Sequence, residues 1–338
     1  MGDAEFSSAH ADAIADARVG SARRRFRLVA RAAALLCLGV VLVPVVVRLT
    51  GWEAGPLAYA VSFLPWVVLA CMVPLVFAVL GRSRVLMAAV LVPFVLGVVW
   101  LAPLYGSAHA VSTSGVELRV ATINATLGQA DADSIVRMVH DRSIDVLAVA
   151  ELTPSEAAAL RAAGLDMELP YRELLPQLGV EGTGVWSRLA LNSAKSAEGL
   201  TAHAVRVSVM AGKQQVTLFA VHPAAPGLFD HSRWANDMGA LAGILSTTDG
   251  PVIVAGDFNT TRDHRAFRGL EALGFKDAVD QAGAGFLPTF PNGGFPMPVV
   301  AIDHVMVRDS RLSAVSATTV AISGADHRAL VVAYGWQD

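Results

Sequence analysis

The chain has 338 residues, of which 54% are hydrophobic and only 16% charged, with a formal net charge of −3. That length suggests about two domains. From Val116 onward there are 17 Lys/Arg against 24 Asp/Glu, a net of −7, which argues against duplex nucleic acid as the routine partner without excluding a local groove. The two cysteines, Cys37 and Cys71, both lie in the apolar first third. This excludes a disulfide framework from the remainder, which at about 224 residues is long enough to bury a core unaided.

In chain order, residues 1–27 begin small, polar and Ala/Asp-rich and read as a disordered cytoplasmic tail. Residues 28–104 read as an anchor of three transmembrane helices. Residues 32–47 are 16 uncharged positions, lengthened when Arg31 and Arg48 snorkel to the interfaces; residues 57–80 supply 24 more and residues 85–104 another 20. A span takes about 20 apolar residues. A cleaved signal peptide would account for the first segment but not for the two after it. Arg18, Arg23, Arg24, Arg25, Arg27 and Arg31 precede the first segment, Arg82 and Arg84 separate the second from the third, and the connection 50–56 carries only Glu53. The positive-inside rule then predicts a cytoplasmic N-terminus and an extracytoplasmic C-terminal region. The segments hold no Asp, Glu or His, which favours anchoring over transport. Residues 105–115 read as a polar linker, with a reach of at most roughly 35 Å that keeps residues 116–338 near the membrane surface.

Short apolar strands then alternate with amphipathic helices. Residues 118–123 predict a strand ending in Asn124, residues 130–142 a helix, and residues 145–150 a buried strand ending in Glu151. Thr153-Pro154 opens a further helix, with proline at the tolerated first position. Strands over 182–191, 203–209 and 215–221 follow, the last ending in His222. Residues 229–245 predict a helix with Trp234, Met238, Leu241 and Leu245 along one side. The stretch VIVAGDFN is a strand punctuated by Gly256 that presents Asp257 and Asn259. After an Arg-rich helix over 261–273 come a strand over 301–307 with Asp303 and His304, the turn SGADH with Asp326 and His327, and a last strand over 329–333.

Eight polar residues thus fall at or beside predicted strand ends: Asn124, Glu151, His222, Asp257, Asn259, Asp303, Asp326 and His327. Taken singly, each has an ordinary explanation, such as an Asx turn or a satisfied core histidine. Taken together they do not, because layered α/β folds gather ligands at one edge of their sheets. A carboxylate and an amide two residues apart beyond a buried strand suit a hard metal ion or a phosphate.

The motifs ATIN, LAVAE, AVHPAAP, GDFN, AIDHV and GADH, in that order, resemble those of the endonuclease/exonuclease/phosphatase superfamily over about residues 117–334. That group of metal-dependent phosphoesterases includes deoxyribonucleases, apurinic endonucleases, sphingomyelinases and inositol-polyphosphate phosphatases. The resemblance implies an α/β fold, a four-layer αββα sandwich of two mixed sheets with outer helices, here preceded by the three transmembrane helices. It implies Mg²⁺ or Mn²⁺ held by Glu151 with Asn124 and Asp326. It also implies Asp257 orienting or deprotonating the attacking water, Asn259 on a phosphate oxygen, and His222 stabilising charge on phosphorus. His327 would bond a non-bridging oxygen or shuttle a proton, with Asp303 fixing its tautomer. This sequence departs from many members at His222-Pro223, where they have His-Leu, and at Ile123, where they have a bulkier residue; neither change removes a catalytic group.

Three spans followed by an outward phosphoesterase domain also resembles a bacterial subgroup associated with teicoplanin resistance. Its implied substrate is undecaprenyl pyrophosphate, the lipid carrier of cell-wall synthesis. The expectation is therefore a membrane hydrolase of a lipid phosphate or pyrophosphate, with no protein partner implied. Two alternatives stand beside it, an anchored extracellular nuclease and a non-catalytic envelope protein that binds a lipid or an antibiotic.

Overall fold

The computed structural model describes residues 2–106, 118–293, 297–309 and 311–337, with side chains from residue 18 onward. All but the start of the linker expected at 105–115 lies outside the described residues. Helix α1 runs from Gly2 to Thr50, through the segment expected to be disordered. That segment is alanine-rich and extends a helix already nucleated by the apolar stretch, so it adds hydrogen bonds without a new nucleus.

Arg18–Thr50 and Arg84–Tyr105 are long and apolar enough to cross a membrane. The stretch 57–80, expected as a single span, is broken. It forms α2 (Pro56–Ser62), a 3₁₀ turn (Leu64–Trp66), α3 (Val67–Ala70) and α4 (Met72–Leu80), with a bend of 52° between Pro56–Ser62 and Leu64–Leu80. Pro65 has no N–H to donate and disfavours helical geometry in the residue before it, which places the break. The candidate spans therefore number two, or three when the bent pair counts as one. Helix α5 (Arg84–Tyr105) is capped by Ser83, whose hydroxyl accepts from the Leu86 amide. Leu38, Val41 and Val45 of α1 pack with Leu64, Val67, Cys71 and Val90.

The remaining elements are β1 (Leu118–Asn124), α6 (Ala132–Asp141), β2 (Val146–Ala150), α7 (Pro154–Ala162), α8 (Leu165–Glu168), β3 (Tyr171–Leu175), β4 (Thr183–Ser187), β5 (Asn192–Ala197), β6 (Ala204–Ala211) and β7 (Gln214–Val221). Then come α9 (Ser232–Ser246), β8 (Val252–Asp257), α10 (Arg265–Ala272), β9 (Lys276–Asp277), α11 (Ala278–Ala282), β10 (Asp303–Arg308), β11 (Leu312–Ala321) and β12 (Arg328–Trp336). They form two mixed six-stranded sheets, ordered β11-β12-β1-β2-β4-β3 and β5-β6-β7-β8-β10-β9. Val120, Val146, Val185 and Val332 of the first sheet meet Val207, Leu218, Ile253 and Val305 of the second in a buried layer. Ile135, Val139 and Leu160 of α6 and α7 cover the outer face of the first sheet; Trp234, Leu241 and Phe267 of α9 and α10 cover that of the second. The four layers expected from the motifs are present.

Topology decides where the polar residues go. Strands β1 and β2 are parallel, as are β7 and β8, so Asn124, Glu151, His222 and Asp257 leave their strands at one edge. Strands β10 and β12 run antiparallel to β8 and β1, so it is their first residues that reach the same edge; Asp303 stands opposite Asp257 in the register. Gly256 makes the approach possible. A Cβ there would lie 1.9 Å from the Val221 carbonyl oxygen, inside a backbone that cannot give way.

Candidate active site

All eight expected residues come together at this edge. Asn124, 2% exposed, donates through Nδ2 to Glu151 Oε1 at 3.0 Å and to Asp257 Oδ2 at 3.1 Å, and so ties the two sheets together. Its Oδ1 accepts from the Thr126 amide at 2.8 Å and keeps one lone pair. Glu151 accepts at Oε2 from the Leu127 amide at 2.8 Å. Asp257 accepts at Oδ1 from the Asn259 amide at 2.8 Å. Glu151 and Asn259 both turn in the left-handed region, with φ of 55° and 49°. Asparagine takes that conformation readily, whereas glutamate does so at a cost, which is the kind of strain functional sites carry.

The histidines have fixed roles. His222 Nδ1 faces the Val180 carbonyl at 3.0 Å and must carry the proton, because a carbonyl only accepts. Its Nε2 therefore faces the site, 3.3 Å from Asn259 Nδ2, 3.7 Å from Asp257 Oδ2 and 3.8 Å from Glu151 Oε1. His327 Nδ1 lies 2.8 Å from Asp303 Oδ2, and its Nε2 points inward, 3.7 Å from Asp257 Oδ2. Burial works to lower the His327 pKa, but the Asp303 carboxylate, followed by Asp257, overrides it and holds the imidazolium up to about 10. Burial pushes the Asp303 carboxyl upward in turn, opposed by His327. A cation held this way can donate through Nε2 to an anionic oxygen.

Among the described residues, one group of carboxylates and histidine is close enough together to hold a metal ion. Asp257, Asp303 and His327 offer ligand atoms within 4.8 Å of one another, a set different from the one expected. His327 would serve as a ligand only through a deprotonated Nε2, so an ion bound there would displace that proton. The expected set is Glu151, Asn124 Oδ1 and Asp326. It is all oxygen, partly open at Asp326, whose side chain is 51% exposed, and suited to a hard divalent ion. The buried carboxylates of Asp257 and Asp303, with the half-buried one of Glu151, also concentrate negative charge that a cation would offset.

Several contributors escaped the sequence reading. Thr126 Oγ1 accepts from the Asp326 amide at 2.9 Å and donates to its carboxylate. Thr289 Oγ1 accepts from the Asp303 amide at 3.3 Å. The Phe290 ring lies 4.9 Å from that of His327, and Asn292 Nδ2 bridges the carbonyls of Ile322 and Ala325. A threonine-aromatic pair between prolines, in PTFP, was the available signal.

The loops of this edge also grip the apolar helices. Tyr59 donates to the Pro226 carbonyl, and His231 Nε2 to the Gly55 carbonyl at 2.8 Å. Neutral His264, its pKa depressed by burial to about 4, accepts from the Thr261 amide and donates through Nε2 to the Ala58 carbonyl at 2.9 Å. Trp66 Nε1 donates to the Val299 carbonyl at 2.8 Å. Arg48 pairs with Asp263, both largely buried, and stacks over Trp100 at 4.7 Å.

The chain belongs to the Endonuclease/Exonuclease/phosphatase family, whose profile matches residues 118–327. It is accordingly an enzyme of the metal-dependent phosphoesterase and nuclease class. No curated protein matches the chain. Among solved structures it is similar to an endonuclease/exonuclease/phosphatase family protein from Leptotrichia buccalis, at 15% identity and a TM-score of 0.54, covering 65% of this chain and 100% of that one. It is also similar to the 3′ phosphatase NExo from Neisseria bound to a product DNA hairpin, at 17% identity and 0.53, covering 65% and 100%. A humanized D. rerio TDP2 matches at 15% identity and 0.54, covering 64% and 98%. At these identities the likeness is one of fold.

Proposed function

We propose that the chain is a membrane-anchored phosphoesterase that hydrolyses a lipid phosphate or pyrophosphate, a polyprenyl pyrophosphate such as the undecaprenyl carrier being the favoured substrate, at the outer face of the membrane. The arginine distribution supports a cytoplasmic N-terminus and an extracytoplasmic catalytic domain. The observation that carries the substrate class is the double duty of the edge loops. The segments following His222 and Asn259 hold α2 and the end of α1 through Pro226, His231, Asp263 and His264. A site fixed to the ends of apolar helices is placed to meet phosphates that sit at a bilayer surface. Release of carrier phosphate would link the enzyme to cell-wall lipid recycling and glycopeptide resistance.

In this reading Asp257, held by Asn124 and by the Asn259 amide, orients the attacking water and takes its proton. His327 donates through Nε2 to a non-bridging phosphoryl oxygen or returns a proton to the leaving oxygen, and Asp303 keeps its ring in place. His222 and Asn259 line the position of the developing charge, and His222 would stabilise it as an imidazolium donating through Nε2. A Mg²⁺ or Mn²⁺ ion bound by Glu151, Asn124 and Asp326 would supply charge neutralisation. As the water oxygen bonds to phosphorus, the bond to the leaving oxygen breaks.

A second reading, an anchored nuclease, is favoured by the DNA-bound fold relative. The deciding experiment is phosphate release from undecaprenyl pyrophosphate by the detergent-solubilised chain with Mg²⁺, beside nicking of duplex DNA, with Asp257→Ala as the blank. Release without nicking, lost in the blank, supports the lipid phosphatase. Nicking without release overturns it.

A further inference from the structure

Among the described residues, ten large apolar side chains from Leu118 onward are exposed. Four of them, Met167, Tyr171, Met210 and Val315, are scattered away from the site, which is ordinary for a protein surface. The other six, Leu127, Leu178, Val180, Leu228, Phe229 and Met297, all lie on loops at the catalytic edge, with Leu178 and Phe229 at 85% and 84% exposed. Clustering at one edge is the exception that needs an occupant.

These loops are held from two sides. Toward the site, the Val180 carbonyl accepts a hydrogen bond from His222 Nδ1 and the Leu127 amide donates to Glu151. Toward the helices, Pro226, two residues before Leu228, accepts from Tyr59, and Val299, two residues after Met297, accepts from Trp66. Trp52 and Phe63, beside these contacts, are themselves 67% and 48% exposed. The apolar rim is thus tied to α2 and the 3₁₀ turn, the bent segment between the two helices long enough to cross a membrane. The two prominent loops, 176–181 and 226–231, carry Glu181 and Asp230 and no Lys or Arg, so attraction to anionic headgroups is not what would seat them.

We infer that the loops bearing Leu178, Val180, Leu228 and Phe229 sit in the outer leaflet of the bilayer that α1 and α5 cross, so that the site opens onto the headgroup layer and the substrate keeps its chain in the membrane while its phosphate is cut. This rests on the anchored reading above and extends it by naming the surface through which substrate enters.

The test uses the full chain in phosphatidylcholine vesicles, with Cys37 and Cys71 replaced by alanine and nitroxide labels placed singly through Phe229→Cys, Leu178→Cys and, as the control at the opposite edge, Met210→Cys. Labels at 229 and 178 relaxed by oxygen and shielded from a water-soluble nickel chelate, with 210 nickel-accessible, support leaflet insertion. Nickel access at 229 equal to that at 210 overturns it, and so does shielding from both reagents, which would indicate a protein partner or a second copy. In parallel, Leu228→Asp/Phe229→Asp should slow hydrolysis of undecaprenyl pyrophosphate in vesicles by about tenfold, since two large apolar side chains lose their burial, and change turnover of soluble bis-p-nitrophenyl phosphate less than about twofold. Equal loss on both substrates overturns the insertion role. A parent chain inactive on the lipid, with labels still immersed, would sink the lipid-phosphatase reading and leave the leaflet contact standing.

Discussion

Asp303 Oδ2 lies 2.8 Å from His327 Nδ1 across the gap between the two sheets, leaving Nε2 as the only free nitrogen of that ring. Asp303→Asn should keep the fold but remove the charge that maintains the imidazolium. We expect kcat to fall by about 10²-fold or more, with KM changed little, since the bond acts on proton placement rather than on substrate binding. Steady-state kinetics against pH check this: the variant should lose activity as pH rises through the neutral range, where the parent imidazolium, held up to about 10, persists.

Chelation should abolish phosphate release, and Mg²⁺ or Mn²⁺ should restore it. Either metal should also raise the melting temperature of the parent, because an ion that binds only the folded state stabilises it. Glu151→Gln should eliminate that rise. A rise that survives in Glu151→Gln but disappears in Asp257→Asn would move the ion to the other carboxylate group.

Gly256→Ala should be among the most damaging single changes. The added methyl must displace the Val221 backbone, moving His222 and Asp257 together. Loss of folded protein on detergent extraction, or activity reduced at least about 10²-fold in any folded fraction, is the expected outcome, given how steeply rate depends on ångström-scale placement.

Glu156 gives a pH-dependent stability. It is 3% exposed, and burial, followed by the nearby Asp131, pushes its carboxyl up to about 7 from an ordinary 4.5. The raised folded value means the protonated form is the one the fold favours. Its stabilisation is present below pH 4.5 and is lost as pH rises through 7, by up to about 3 kcal/mol. Glu156→Gln should therefore unfold in urea like the parent at pH 4.5 and later than the parent at pH 8.

Arg48→Met should leave Asp263 buried without its ion-pair partner, at a cost of about 3–5 kcal/mol. The double variant Arg48→Met/Asp263→Asn should recover part of it, and a thermal-stability cycle over the four chains measures the coupling.

Much of the catalytic edge was legible because it is written into interior strands. Strands β1, β2, β7 and β8 are apolar runs ending in a polar residue, and burial on both faces forces that composition. The strands that went unseen, β3, β5, β9 and β11, are the outermost strands of the two sheets. An edge strand such as β5, NSAKSA, is exposed at nearly every position and has no apolar pattern to betray it. The broken second span was hidden for a different reason: hydropathy sums over residues 57–80 without sensing that Pro65 interrupts the helix. The helpers Thr126, Thr289 and Phe290 lie in irregular loops, where only the folded geometry brings them to the site.

Asn124, Glu151 and His327 belong to one sheet, and His222, Asp257 and Asp303 to the other, with Asn124–Asp257 and Asp303–His327 as the stitches between them. Turnover is therefore a gauge of how the sheets are seated. A mutation deep in the valine layer that lets them slip by a fraction of an ångström would silence the enzyme while its circular dichroism stayed intact. For this protein, catalytic failure should be the earliest symptom of a loosened interior.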